Sequence, residues 1–151
     1  MNLLFAKPRV KTPVKPPSLL TASEVFQSTA LFLTEAHWCR GSLARDDKEQ
    51  PCGSWSPCAT SFCMMGALKH TARLRFALPA EAIDNLLALL SDRRFYSGDE
   101  LAFHNTSLLS LEMWFNDEYC DDRKGVISKL HRIANSTITK RLVFKQGVLQ
   151  R

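Results

Sequence analysis

The sequence predicts a mainly α fold: a compact bundle of about four to five helices, an extended basic proline-rich N-terminal arm and a basic C-terminal tail, with scope for one short β hairpin or strand. Three observations predict it. Apolar residues recur at helical spacing through much of the chain between Thr21 and Ala134. Four prolines are crowded into residues 7–17. Basic residues gather at the two ends, and every acid lies between them. The expected organisation is an arm over 1–19, a helical domain over 20–134 and a basic tail over 135–151.

Proline fixes φ and has no amide donor, so the arm Lys7-Pro-Arg-Val-Lys-Thr-Pro-Val-Lys-Pro-Pro17 is expected to be extended. The first helix opens on Thr21-Ala22-Ser23-Glu24, a capping box whose hydroxyl can accept the Glu24 amide. Leu20 and Val25 flank the cap as a hydrophobic staple. Ala22, Val25, Phe26, Thr29, Leu33 and Ala36 then form one apolar face, and the helix is expected to stop near Trp38 or Cys39, before Gly41. Residues 45–58 are rich in turn formers and read as a polar loop.

A second helix is expected over about residues 59–74, with Phe62, Cys63, Gly66, Ala67, His70 and Leu74 on one face. Pro79 suits the first turn of a third helix, whose stripe is Ala82, Ile83, Leu86, Leu87 and Leu90. Ser97-Gly98-Asp99 reads as a turn. The stretch from Leu101 to Phe115 fits one helix or a helix plus a strand, with helix favoured for Leu108–Phe115. Asp121 or Asp122 can cap the last helix, which would bury Val126, Ile127, Leu130, Ile133 and Ala134. Thr137–Phe144 is rich in β-branched residues and could form a strand, given a partner.

A chain of 151 residues with 45% hydrophobic and 23% charged residues fits a single globular domain with its own core. No apolar run approaches the roughly 20 residues of a membrane span. The apolar start, Met1–Ala6, is too short for a signal-peptide core. Five cysteines, an odd number, argue for reduced thiols and a cytoplasmic setting.

The net charge of +5 conceals a strong asymmetry. Residues 1–17 hold four bases and no acid, and residues 123–151 hold eight bases and no acid. The middle holds eight bases against all 15 acids, a net −7. Either the basic ends grip an anionic partner, or they fold back on the acidic body. Lys7, Arg9, Lys11, Lys15, Lys140, Arg141 and Lys145 are the candidate partner-binding residues. Lys140, Arg141 and Lys145 flank Val143 and Phe144, so a strand there would present a basic edge. The partner would be a protein assembly or a nucleic acid, not a membrane; the residues leave the oligomeric state open.

Chemistry is less well supported. Structural zinc needs thiolates about two to four residues apart, and Cys39, Cys52, Cys58 and Cys63 show no such pairing. No metal or cofactor is therefore expected, and Cys39 and Cys63 read as small core residues. A thiol enzyme could in principle combine Cys39 or Cys63 with His70 or His104 and Asn116 or Asp117. Neither cysteine has a nucleophile signature around it, so no catalytic residue is assigned. There is no phosphate loop, dinucleotide fingerprint or His-Glu-x-x-His. Asn116-Asp117 reads first as a turn, and second as a ligand-facing pair beside Trp38 and Asp46.

Three blocks carry a resemblance: Trp38-Cys39-Arg40-Gly41-Ser42-Leu43-Ala44-Arg45-Asp46, then Cys63-Met64-Met65-Gly66-Ala67-Leu68, then Phe115-Asn116-Asp117 ahead of the helix at Val126. In this order they resemble a family of small bacterial and phage domains, family 6197 of unknown function. Its pattern picks out Trp38, Cys39, Gly41, Arg45, Asp46, Cys63, Gly66, Asn116 and Asp117. The resemblance covers about residues 21–134 and implies a compact helical fold without an assigned activity. The basic arm, the basic tail, Cys52 and Cys58 depart from the family pattern. Together these readings predict a non-enzymatic accessory protein, phage or mobile-element encoded, that docks on a larger assembly through its basic ends. Direct nucleic-acid binding and thiol chemistry at Cys39 or Cys63 are the alternatives.

Overall fold

The computed structural model of the chain describes residues 20–98, 113, 115–120, 122–145 and 147–150. The first helix, α1 (Ala22–Glu35), starts where the capping box places it: the Glu24 amide donates to Thr21 Oγ1 at 3.1 Å. The helix ends at Glu35, ahead of the expected stop, because His37–Trp38 is drawn into a strand. Its buried face (Ala22, Val25, Phe26, Thr29, Ala30, Leu33) lies at the centre of the core.

Four two-residue strands follow: β1 (His37–Trp38), β2 (Ala44–Arg45), β3 (Pro51–Cys52) and β4 (Ser61–Phe62). They form one small sheet in the order β1-β4-β2-β3. β1 runs parallel to β4, with Trp38 opposite Phe62; β2 runs antiparallel to β3 and β4, with Ala44 opposite both Cys52 and Phe62. The polar loop expected over 45–58 is thus pinned at two points. Helix α2 (Met64–Phe76) begins about five residues later than its sequence pattern suggests, because Ser61 and Phe62 pair across the sheet. Its buried face is Met64, Gly66, Ala67, Leu68, Thr71, Ala72 and Phe76; of the expected face, Phe62, Cys63, Gly66 and Ala67 are buried, His70 is half-buried and Leu74 is 57% exposed.

α3 (Ala80–Leu90) follows Pro79 and buries the expected stripe. A 3₁₀ turn, Arg93–Phe95, comes next. The helix expected over Leu108–Phe115 falls largely outside the described residues. Phe115–Tyr119 is one π-helical turn, closed by the Cys120 amide on the Phe115 carbonyl at 3.0 Å. α4 (Arg123–Asn135) is capped by Asp122, which accepts the Gly125 amide at 3.0 Å. α4 packs along α1, where the Ser23 hydroxyl donates to the Ala134 carbonyl at 2.7 Å; α2 packs on α1 and α3 on α2.

The chain then makes a short helix, α5 (Thr137–Lys140), and a hairpin of β5 (Val143–Lys145) and β6 (Val148–Gln150) turning at Gly147. Only the end of the β-branched run is therefore strand. Ser136 caps the helical turn first, accepting the Ile138 amide at 3.2 Å. Phe144 and Leu149 point into the core together with Leu142. No helix among the described residues is long and apolar enough to cross a membrane.

Candidate functional site

The three sequence blocks meet in space around one side chain. Asn116 is 1% exposed. Its Oδ1 accepts the indole N–H of Trp38 at 2.8 Å and the amide of Met64, the first residue of α2, at 2.9 Å. Its Nδ2 donates to the Cys39 carbonyl at 3.3 Å and to Asp117 Oδ1 at 2.7 Å. A carboxamide has two donor hydrogens and two acceptor lone pairs, and all four are engaged here. Asp117 Oδ1 also accepts the Gly41 amide at 3.2 Å.

The rest of the knot follows from local chemistry. Cys63 caps α2 with its sulfur, which accepts the Gly66 amide at 3.3 Å. Gly66 has no room for a side chain, since a Cβ there would lie 1.8 Å from the Leu43 carbonyl oxygen. Gly41 sits at φ +77°, where a side chain is strained. Arg45 reaches back across the turn it follows, donating to the Arg40 carbonyl through Nε (3.3 Å) and Nη2 (3.1 Å), and to the Glu49 carbonyl through Nη1 (2.9 Å). Asp46 Oδ1 accepts the amides of Lys48 and Gln50, both at 2.9 Å. The Arg40 guanidinium lies 4.8 Å from the Trp38 ring centroid and donates to the Cys120 carbonyl.

A match to the family model for a family of unknown function, DUF6197, spans residues 17–136 and so contains this whole knot. The chain belongs to DUF6197. No curated protein and no solved structure matches it. The DUF6197 motif residues join the sheet, the start of α2 and the π turn, and their polar groups are largely turned on one another.

The thiols of the DUF6197 core differ in exposure. Cys39 is buried, its sulfur donating to the Ser42 carbonyl at 3.7 Å, and burial raises its pKa above the usual thiol value. It is therefore held as the thiol, the poorly nucleophilic form. Cys63 is buried at the α2 cap, Cys52 is half-buried and Cys58 is exposed. Among the described residues no group of three His, Cys, Asp or Glu side chains is placed to hold a metal. His70 is stacked on Phe32 at 4.8 Å and packed against Phe62 at 4.9 Å, with Nδ1 2.6 Å from the Ser54 carbonyl. That carbonyl can only accept, so Nδ1 carries a proton. His104 lies outside the described residues.

A second region lies beyond the DUF6197 match. Lys140, Arg141 and Lys145 are all exposed, and none pairs with a carboxylate among the described residues. Their backbone belongs to the fold. The Phe144 amide donates to the Leu20 carbonyl at 2.8 Å, the Ala22 amide donates to the Leu142 carbonyl at 2.9 Å, and Thr21 bridges to Val143. The candidates Lys7, Arg9, Lys11 and Lys15 lie outside the described residues.

Two other basic residues of the C-terminal stretch, Arg123 and Lys129, face inward, whereas Lys124 and Arg132 are exposed. Arg123 donates to the Ala36 carbonyl at 2.8 Å. Lys129 is 1% exposed; its ammonium lies 3.8 Å from the Tyr96 ring centroid and 5.1 Å from that of Phe115, and donates to the Phe95 carbonyl. A signal for this was present in the sequence. Lys129 falls on the stripe of Val126, Leu130 and Ile133, where a cation can be buried only with partners.

Proposed function

We propose that this DUF6197 chain is a non-enzymatic interaction protein that docks on a larger macromolecular assembly through its basic ends. The observation that carries this reading is the division of labour in the C-terminal hairpin. Phe144 and Leu149 anchor it to the core, while Lys140, Arg141 and Lys145 stand exposed beside them. Cations that met their carboxylates within the chain would offer little to a partner. These three have no such match among the described residues. An accessory role in a phage or mobile element accords with the sequence resemblance.

Capture from native lysate tests the proposal, using the full chain, a variant lacking residues 1–19, and K140Q/R141Q/K145Q. The full chain recovers a partner in a salt-sensitive manner, and both altered chains recover less. Equal recovery by all three overturns the proposal. If the captured material is nucleic acid, with affinity falling steeply as salt rises, the cations neutralise phosphates directly.

Thiol chemistry at Cys39 or Cys63 has weaker support, because both sulfurs are buried and engaged. Native alkylation that labels Cys58 first and leaves both of these untouched removes that alternative.

A further inference from the structure

We infer that the outward face of the C-terminal hairpin, with Lys140 and Arg141 ahead of it, docks an acidic polypeptide segment that carries apolar side chains between its carboxylates. The inference rests on the docking reading above and names its partner class.

Alternation along two short strands builds the face. Phe144 and Leu149 go inward, so Val143, Lys145, Val148 and Gln150 go outward. The register sets Val143 opposite Gln150 and Lys145 opposite Val148, which leaves the two valines diagonal to each other on one side of the ribbon. Each valine is 42% exposed. Lys140 and Arg141 stand exposed just before β5. The face therefore presents apolar and cationic side chains together, and its complement is a chain with apolar and anionic side chains together.

The face is held in place from behind: the Leu20 carbonyl accepts the Phe144 amide at 2.8 Å and Thr21 bridges Val143, so β5 is tied to the residues that lead into α1.

A nucleic acid is the poorer complement. Single strands are held by aromatic stacking, and the outward positions Val143, Lys145, Val148 and Gln150 include no aromatic ring. A phosphate backbone gives two exposed valines nothing to contact.

Calorimetric titration of the full chain tests this with three probes: a peptide of alternating glutamate and valine, polyglutamate of the same length, and a double-stranded DNA oligonucleotide. The alternating peptide is expected to bind tightest. V143T/V148T keeps the β-branched shape and all charges; it should weaken that peptide roughly tenfold while leaving polyglutamate unchanged. K140Q/R141Q/K145Q should lose both peptides. If V143T/V148T binds the alternating peptide as tightly as the unaltered chain while the charge variant loses it, the apolar part of this inference is wrong and the docking reading stands. DNA binding tighter than either peptide overturns the partner class. If the unaltered chain binds no anionic probe, the docking reading falls with it. Unfolding midpoints for both variants confirm that they are folded.

Discussion

At the Asn116 knot, polar groups turn inward: the carboxamide holds Trp38, Met64, Cys39 and Asp117, and Arg45 is closed on the carbonyls of Arg40 and Glu49. At the C-terminal hairpin the arrangement is reversed. There the apolar side chains of Phe144 and Leu149 turn inward, and Lys140, Arg141 and Lys145 remain in solvent. The first region lies inside the DUF6197 match and the second beyond it. Inward polar groups make architecture, because a buried donor without an acceptor is costly. Outward cations on an anchored hairpin contribute little to the fold that presents them, as the proposed docking role requires.

Substitutions can break this contrast at either side. The largest effect is expected at Gly66→Ala, where a methyl group would meet the Leu43 carbonyl at 1.8 Å and the backbone must move. A loss of about 5 kcal/mol in urea denaturation is expected, and a loss under about 1 kcal/mol would mean that the sheet and α2 do not meet as described. Phe144→Ala should cost about 4 kcal/mol, since it empties a fully buried site that ties the hairpin to Leu20. Near-neutral behaviour there would detach the hairpin from the core. Asn116→Ala should cost about 3 kcal/mol, by leaving the Trp38 indole and the Met64 amide without their acceptor.

A smaller, pH-dependent effect is expected at His70. Burial lowers its pKa, outweighing the opposing hydrogen bond to the Ser54 carbonyl. The unfolded chain takes up a proton near pH 6.5, and the folded chain resists it. The contribution of neutral His70 is therefore fully present above about pH 6.5 and is lost as pH falls through the window below it. Denaturation of His70→Gln across pH 5–7.5 should give a shallower slope than the parent. Parallel slopes would show that the stacked imidazole is not the responsible group. The smallest effect on stability belongs to K140Q/R141Q/K145Q, expected within about 0.5 kcal/mol of the parent because all three side chains are exposed.

Local signals were legible in the sequence. The Thr21 cap, the α3 stripe behind Pro79 and the Asp122 cap depend on neighbours a turn away, and each forms as its residues dictate. Features set by distant pairing were not. α2 starts late because Ser61–Phe62 pairs with Ala44–Arg45, and Leu74 turns outward once α1 and α3 take the opposite side. The blocks around Trp38, Cys63 and Asn116 could be picked out as motifs, but their meeting at one carboxamide spans hydrogen bonds between residues 52 and 78 positions apart. Counting charges along the chain singled out Lys140, Arg141 and Lys145, which the fold leaves exposed. It also included Lys129, whose ammonium the fold hides among aromatic rings.

Unfolding and partner capture measured side by side on K140Q/R141Q/K145Q test the contrast most directly. An unchanged urea midpoint with partner recovery abolished is the predicted result. A variant that unfolds early, or one that keeps its midpoint and still recovers the partner in full, would contradict it.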